Sequence, residues 1–265
     1  MELRRVLDDL IACLRFFSRL PLPVSRSGLN PHAKPDLSRL ARMAPIAGAI
    51  IAAVGALALA LAHGLGLPPL ICATLAVSAL VIVSGALHED GLADVADGFG
   101  GGATRERKLE IMRDSRIGAY GAAALALALI LRVAALSALL DLGLGQAAAG
   151  LILAGAVSRA FALLPLALLS PARSDGLGAG AGRLEPGGAR AAGVAALIVA
   201  AVLGLGVLGL GRALLGLGAA LLAALAMTAV ARRQIGGQTG DVAGAAQQLA
   251  EIACLCGLLI GRAAA

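Results

Sequence analysis

The chain has 265 residues, 59% of them hydrophobic and only 14% charged, with a mean hydropathy of +0.91. That leaves too little polar surface to coat a water-soluble domain. The formal charge of +6 does not point to nucleic acid, because the basic residues flank apolar runs with no aromatic residues interleaved.

We expect an all-α, polytopic membrane helix bundle, with residues 1–265 forming a single domain. Residues 1–42 form an N-terminal segment whose residues 2–20 read as an amphipathic helix. Leu3, Leu7, Leu10, Leu14 and Phe17 recur at steps of four and three, the spacing of one helix face. Such a helix lies in the membrane interface or packs over the bundle. Pro21 and Pro23 stop it, and a polar loop runs on to Arg42.

Seven apolar stretches follow, roughly 43–62, 68–87, 120–140, 147–169, 189–210, 213–231 and 246–261. Most approach the ~20 residues needed to cross a hydrocarbon core. The last is short and carries Gln247, Gln248 and Glu251, which would have to face the bundle interior. Alternating spans put 18 of the 22 Lys and Arg on the side of the N-terminus, with Arg212 and Arg262 opposite. The bias makes the side with residues 1–42, 88–119, 170–188 (with Arg190 at the next helix start) and 232–245 cytoplasmic. Basic residues there also suit an anionic lipid surface. Cys13, Cys72, Cys254 and Cys256 read as small hydrophobes rather than disulfides or metal ligands.

Chemistry concentrates in residues 88–121. Seven of the sixteen acidic residues fall between Glu89 and Asp114. Asp90, Asp94 and Asp97 are spaced i, i+4, i+7, within about 60° of one another on a helix. Glu110 and Asp114 repeat the i, i+4 spacing after a glycine-rich turn at 98–102. These five carboxylates are candidate ligands for one or two Mg²⁺ ions together with a diphosphate. Asp90, Asp94 and His88 are the candidate catalytic groups, one of them accepting a proton; His88 equally suits the end of a span. Arg113, Arg116, Arg159 and Arg173 are candidate phosphate clamps. Arg159 lies inside an apolar span, where an arginine needs an acidic or phosphate partner. Arg132 is expected to pair with Asp141 or to reach the interface. In the last cytoplasmic loop, Gln238, Thr239 and Asp241 follow two glycines that permit close backbone approach. The glycine-rich stretch 176–188 could fold over a ligand.

Every polar motif thus sits on one face and no inverted repeat is visible, which favours an enzyme over a cation transporter. Other diphosphate-using membrane transferases also use Asp strips with Mg²⁺. A CDP-alcohol phosphotransferase would need an Arg that Asp90-Gly91-Leu92-Ala93-Asp94 lacks; an aromatic prenyltransferase is a further alternative.

Several blocks resemble the cobalamin (5′-phosphate) synthase family. They are His88–Gly98, Leu109–Gly121 and Gly236–Asp241, with Leu14–Pro21, Pro45–Gly48, Ser158-Arg159 and Ala172–Gly178 in the same order. Glu89 and Pro171 depart from the family pattern. The resemblance implies a multi-pass enzyme of the bacterial cytoplasmic (inner) membrane with a cytoplasmic active face. It would join adenosylcobinamide-GDP to α-ribazole or α-ribazole 5′-phosphate, releasing GMP, with Mg²⁺ as cofactor. The implied partners are these small molecules and the lipid bilayer, with a homo-oligomer compatible and no nucleic acid.

Overall fold

The computed structural model describes residues 2–23, 37–174, 184 and 186–261. Its helices are α1 (Glu2–Phe17), α2 (Leu37–Gly64), α3 (Pro69–Ser84), α4 (Leu87–Gly101), α5 (Arg105–Ile111), α6 (Ala119–Leu140), α7 (Leu144–Phe161) and α8 (Leu163–Leu168). They are followed by α9 (Pro186–Leu203), a π-helical turn at Gly204–Leu208, α10 (Leu210–Ile235) and α11 (Gly240–Gly257). No β-strand occurs among the described residues, where Pro171 and Gln238 form an isolated bridge. Most of the glycine-rich stretch 176–188 lies outside the described residues.

Among the described residues, five segments are long and apolar enough to cross a membrane: Leu40–Gly64, Ala119–Leu140, Leu144–Leu168, Gly187–Leu208 and Leu210–Ile235. α3 and α4 reach that standard only as a pair bent by 89°. The count is therefore five, or six with the bent pair, where the sequence suggested seven. The bend comes from two successive left-handed residues, Gly85 at φ 64° and Ala86 at φ 56°. Glycine takes that conformation freely, whereas alanine does so at a cost of about 1–2 kcal/mol. Turned through a right angle, α4 does not prolong α3 across a bilayer. The expected seventh span falls in α11, which buries Gln247, Gln248 and Glu251 and is not among the helices long and apolar enough to cross.

α7 is the central helix. Its apolar window is 78% buried within the protein, against 28% to 50% for the other four spans. Small residues make this possible. A Cβ on Gly48 of α2 would lie 2.2 Å from the Gly155 carbonyl oxygen of α7, so the two backbones touch, as small residues allow in membranes.

α1 is amphipathic as expected. Cys13, Leu14 and Phe17 are buried against the bundle, while Leu3 is 72% and Leu7 49% exposed. The polar segments gather at one end of the molecule. Arg105 of α5 donates to the carbonyls of Ile235 (2.8 Å) and Ala172 (2.5 Å), and Lys108 bonds Gln234. Gln238 N–H donates to Ser170 O (2.9 Å) and Ala172 N–H to Gln238 O (2.8 Å). Three chain segments far apart in sequence are thereby fixed side by side.

Gly48→Ala should lower thermal stability in detergent by at least the ~1–3 kcal/mol of an overpacked core. Gly193→Ala in α9, where an added methyl meets nothing within 4 Å, should be neutral or stabilising by up to ~1 kcal/mol. Equal melting shifts for the two variants would contradict the close α2–α7 contact.

Candidate active site

The site grows from the start of α4, where the chain turns out of α3. His88 and Glu89 are buried in the bundle and Asp90 is exposed beside them. Asp94 stands one turn further along. α4 packs closely on the start of α11, because both helices are bare at the contact: a Cβ on Gly91 would lie 2.9 Å from the Asp241 carbonyl oxygen. Asp241 lies in the first turn of α11, which Thr239 caps by accepting from Val242 N–H at 3.2 Å. The Asp241 carboxylate receives Arg173 at 3.3 Å and the Thr239 hydroxyl at 3.2 Å.

A cavity of about 320 Å³ opens beside this cluster. Asp90, Arg173, Asp241 and His88 contribute its polar lining, and Phe16, Phe17, Leu163 and Leu166 much of its apolar lining. Burial, and then the charges of Asp90, Asp241 and Asp97, push the Asp94 carboxyl up to about 7, with Arg173 opposing. Burial also raises Asp241, against the pull of Arg173. Carboxylates crowded in this way would be relieved by a nearby cation. Among the described residues no group of three or more His, Cys, Asp or Glu side chains is placed to hold a metal ion. Mg²⁺ does not require one, since it is commonly held by one or two carboxylates with phosphate and water completing the shell. Asp90 and Asp94, with Asp241 beside them, fit that role.

The other sequence candidates stand elsewhere. Asp97 shares the α4 strip, but its carboxylate accepts from Gly118 N–H at 2.7 Å and Gly121 N–H at 2.8 Å. It caps the start of α6, and neither glycine has room for a Cβ against it. Glu110 pairs with Arg107 at 2.8 Å on an exposed surface. Arg116, exposed, holds Asp114 at 2.6 Å and keeps that carboxyl down at about 2 through hydrogen bonds. The five-carboxylate metal set thus divides: Asp90 and Asp94 face the Asp241 cluster, Asp97 caps a helix, and Glu110 and Asp114 pair locally. Arg113 and Arg116 are exposed and off the cavity lining. Gln238 is wholly buried, and its backbone bonds Ser170 and Ala172.

Behind the cavity lies a second polar cluster that the sequence left unassembled. Arg132 of α6, 2% exposed, bridges Glu89 of α4 at 2.7 Å and Glu251 of α11 at 2.8 Å. Its partner is therefore neither Asp141 nor the interface. Gln247 donates to Glu251 at 2.7 Å and to Ser158 at 2.9 Å. Arg159 is also buried here, donating to Gly155 O at 3.2 Å. It lines a void of about 10 Å³ with Glu89, Arg132 and Glu251, the room of about one water. Arg159 thus belongs to this cluster and not to the cavity. The signal available in sequence was the rule that an intramembrane arginine needs a carboxylate, which does not say which acid. His88 joins the two sites: it lines both spaces and stacks on Phe17 at 5.6 Å. Burial, then Arg159 and Arg132, hold its imidazole well below the usual range, so it is neutral.

A sequence model of the family "Cobalamin-5-phosphate synthase" matches residues 9–259. The chain is similar to proteins named adenosylcobinamide-GDP ribazoletransferase. It is 52% identical to that of Azorhizobium caulinodans and 53% to that of Xanthobacter autotrophicus, with 98% of each chain covered. Identity to the Mesorhizobium japonicum protein is 49%, covering 95% of this chain and 93% of the relative. No solved structure matches.

Two measurements test the site's electrostatics. Arg132→Met strands two buried carboxylates and should cost about 3–5 kcal/mol; adding Glu89→Gln and Glu251→Gln should restore most of it in detergent melting curves. Asp94 titrates at about 7 in the fold but near 3.9 when unfolded. Between those values the folded state holds the extra proton, so without divalent cations stability should fall as pH rises from about 4 to about 7. Asp94→Asn should flatten that slope.

Proposed function

The chain belongs to the cobalamin-5-phosphate synthase family, and we propose that it is a multi-pass membrane transferase joining adenosylcobinamide-GDP to α-ribazole or α-ribazole 5′-phosphate. The products are adenosylcobalamin, or its 5′-phosphate, and GMP. The observation that carries this reading is the convergence of Asp90, Asp94, Asp241 and Arg173 beside one cavity. A diphosphate needs cationic charge held by fixed ligands, and a nucleoside needs an adjoining space.

In this reading Asp90 and Asp94 hold Mg²⁺, and Asp241 is kept in place by Arg173 and Thr239. The ion, when bound, neutralises the diphosphate and the charge developing on departing GMP. The ribazole hydroxyl attacks the phosphorus that carries the cobinamide aminopropanol, and the bond from that phosphorus to GMP breaks. One of the carboxylates, or the neutral His88 on the cavity wall, accepts the hydroxyl proton. Arg173 supplies a planar fork for a phosphate oxygen. Placing two bulky reactants in line supplies much of the rate. The active face is cytoplasmic in a bacterial inner membrane, a reading supported by the lopsided Lys and Arg distribution and by the shared end of the three polar segments.

Asp90→Asn should abolish product formation while the purified protein keeps its melting temperature within a few degrees. The assay supplies both substrates with and without Mg²⁺ and follows cobalamin product. Near-normal, Mg²⁺-dependent synthesis by this variant would overturn the assignment.

A further inference from the structure

The cavity has more apolar wall than a diphosphate needs. Phe16 and Phe17 come from α1, Ala162 lies at the end of α7, and Leu163 and Leu166 come from α8. None of these side chains carries a hydrogen-bonding group. Whatever they contact is recognised by shape and by stacking, not by the edges of a polar ring. The wall is also held in shape. Phe17 stacks on His88 at 5.6 Å and meets Phe16 edge-on at 4.9 Å and 84°, and Leu163 and Leu166 are buried.

Volume narrows the choice of occupant. At about 320 Å³ the space lies at the lower end of small-molecule pockets, roughly 300–1,000 Å³. A corrin macrocycle carrying a nucleotide does not fit inside it, whereas a nucleoside does. An α-ribazole has a neutral, apolar heteroaromatic base at one end and sugar hydroxyls at the other. Set with its base against the phenylalanines and leucines, it turns its sugar toward Asp90, Asp241 and Arg173.

We propose that the wall formed by Phe16, Leu163 and Leu166 holds the aromatic base of the attacking nucleoside and sets which bases are accepted. This rests on the transferase reading above. The corrinoid substrate meets the protein outside this wall and presents only its diphosphate to the carboxylates.

The test compares kcat/KM for three nucleosides: dimethylbenzimidazole, unsubstituted benzimidazole and adenine ribosides. Leu163→Phe fills space, so it should penalise the dimethyl compound about tenfold or more relative to the unsubstituted one, the scale of a one- or two-methyl misfit. Phe16→Ala, at a half-buried position, should raise KM for every nucleoside and flatten the preference. Neither should move KM for adenosylcobinamide-GDP. An azidobenzimidazole riboside should photolabel α1 or α8 of the wild-type protein, a readout independent of any variant's folding. Unchanged nucleoside ratios with a raised KM for the corrinoid, or labelling confined to other helices, would overturn the base-pocket assignment while leaving the transferase intact. A wild-type protein that forms no product from any nucleoside would instead overturn the transferase reading itself.

Discussion

Arg132 is the point on which the rest of the molecule turns. A guanidinium buried to 2% exposure in an apolar bundle is tolerated only where carboxylates neutralise it. Its two partners, Glu89 and Glu251, belong to α4 and α11. Those are the helices that bring Asp90 and Asp241 to the cavity and Asp94 near them. Two ion pairs on one guanidinium therefore fix three helices at a common point, with Asp90 the next residue after Glu89. Gln247 and Ser158 extend the same network to α7, the most enclosed helix.

Glycine supplies the second constraint. Gly91 leaves no side chain between α4 and the Asp241 backbone, and Gly48 and Gly155 do the same for α2 and α7. Where side chains are absent the backbones close in, and the functional groups on either side come within electrostatic reach. The mutual influence of Asp90, Asp94 and Asp241 follows from that closeness. The two devices are complementary: the ion bridge sets the register of α4 against α11, and the bare contact sets their separation.

How much of this was legible in the sequence differs from element to element. The amphipathic α1, the long apolar helices, the acidic strip of α4 and the common face of the polar segments follow from periodicity and charge, which are local or additive signals. The fates of Asp97, Glu110 and Asp114 were not legible. Helical spacing tells which residues share a face but not what that face meets. Asp97 shares its strip with Asp94, yet the unpaired amides at the start of α6 claim it. α5 has only seven residues, so Glu110 pairs with Arg107 on its own surface, and Asp114 beyond its end finds Arg116. The seventh span failed for a related reason. The buried Gln247, Gln248 and Glu251 leave α11 less apolar than the candidate spans, and the predicted span 68–87 ran through the left-handed pair that ends α3.

The exposed leucines of α1 have a consequence for where the boundary of the active centre is drawn. Leu3 and Leu7 are exposed, while Phe16 and Phe17 on the same helix wall the cavity. Leucines on an amphipathic helix suit the acyl region of a membrane interface. One end of α1 thus turns an apolar face outward while its other end walls the cavity, so a bilayer against that face would bear on the shape of the cavity.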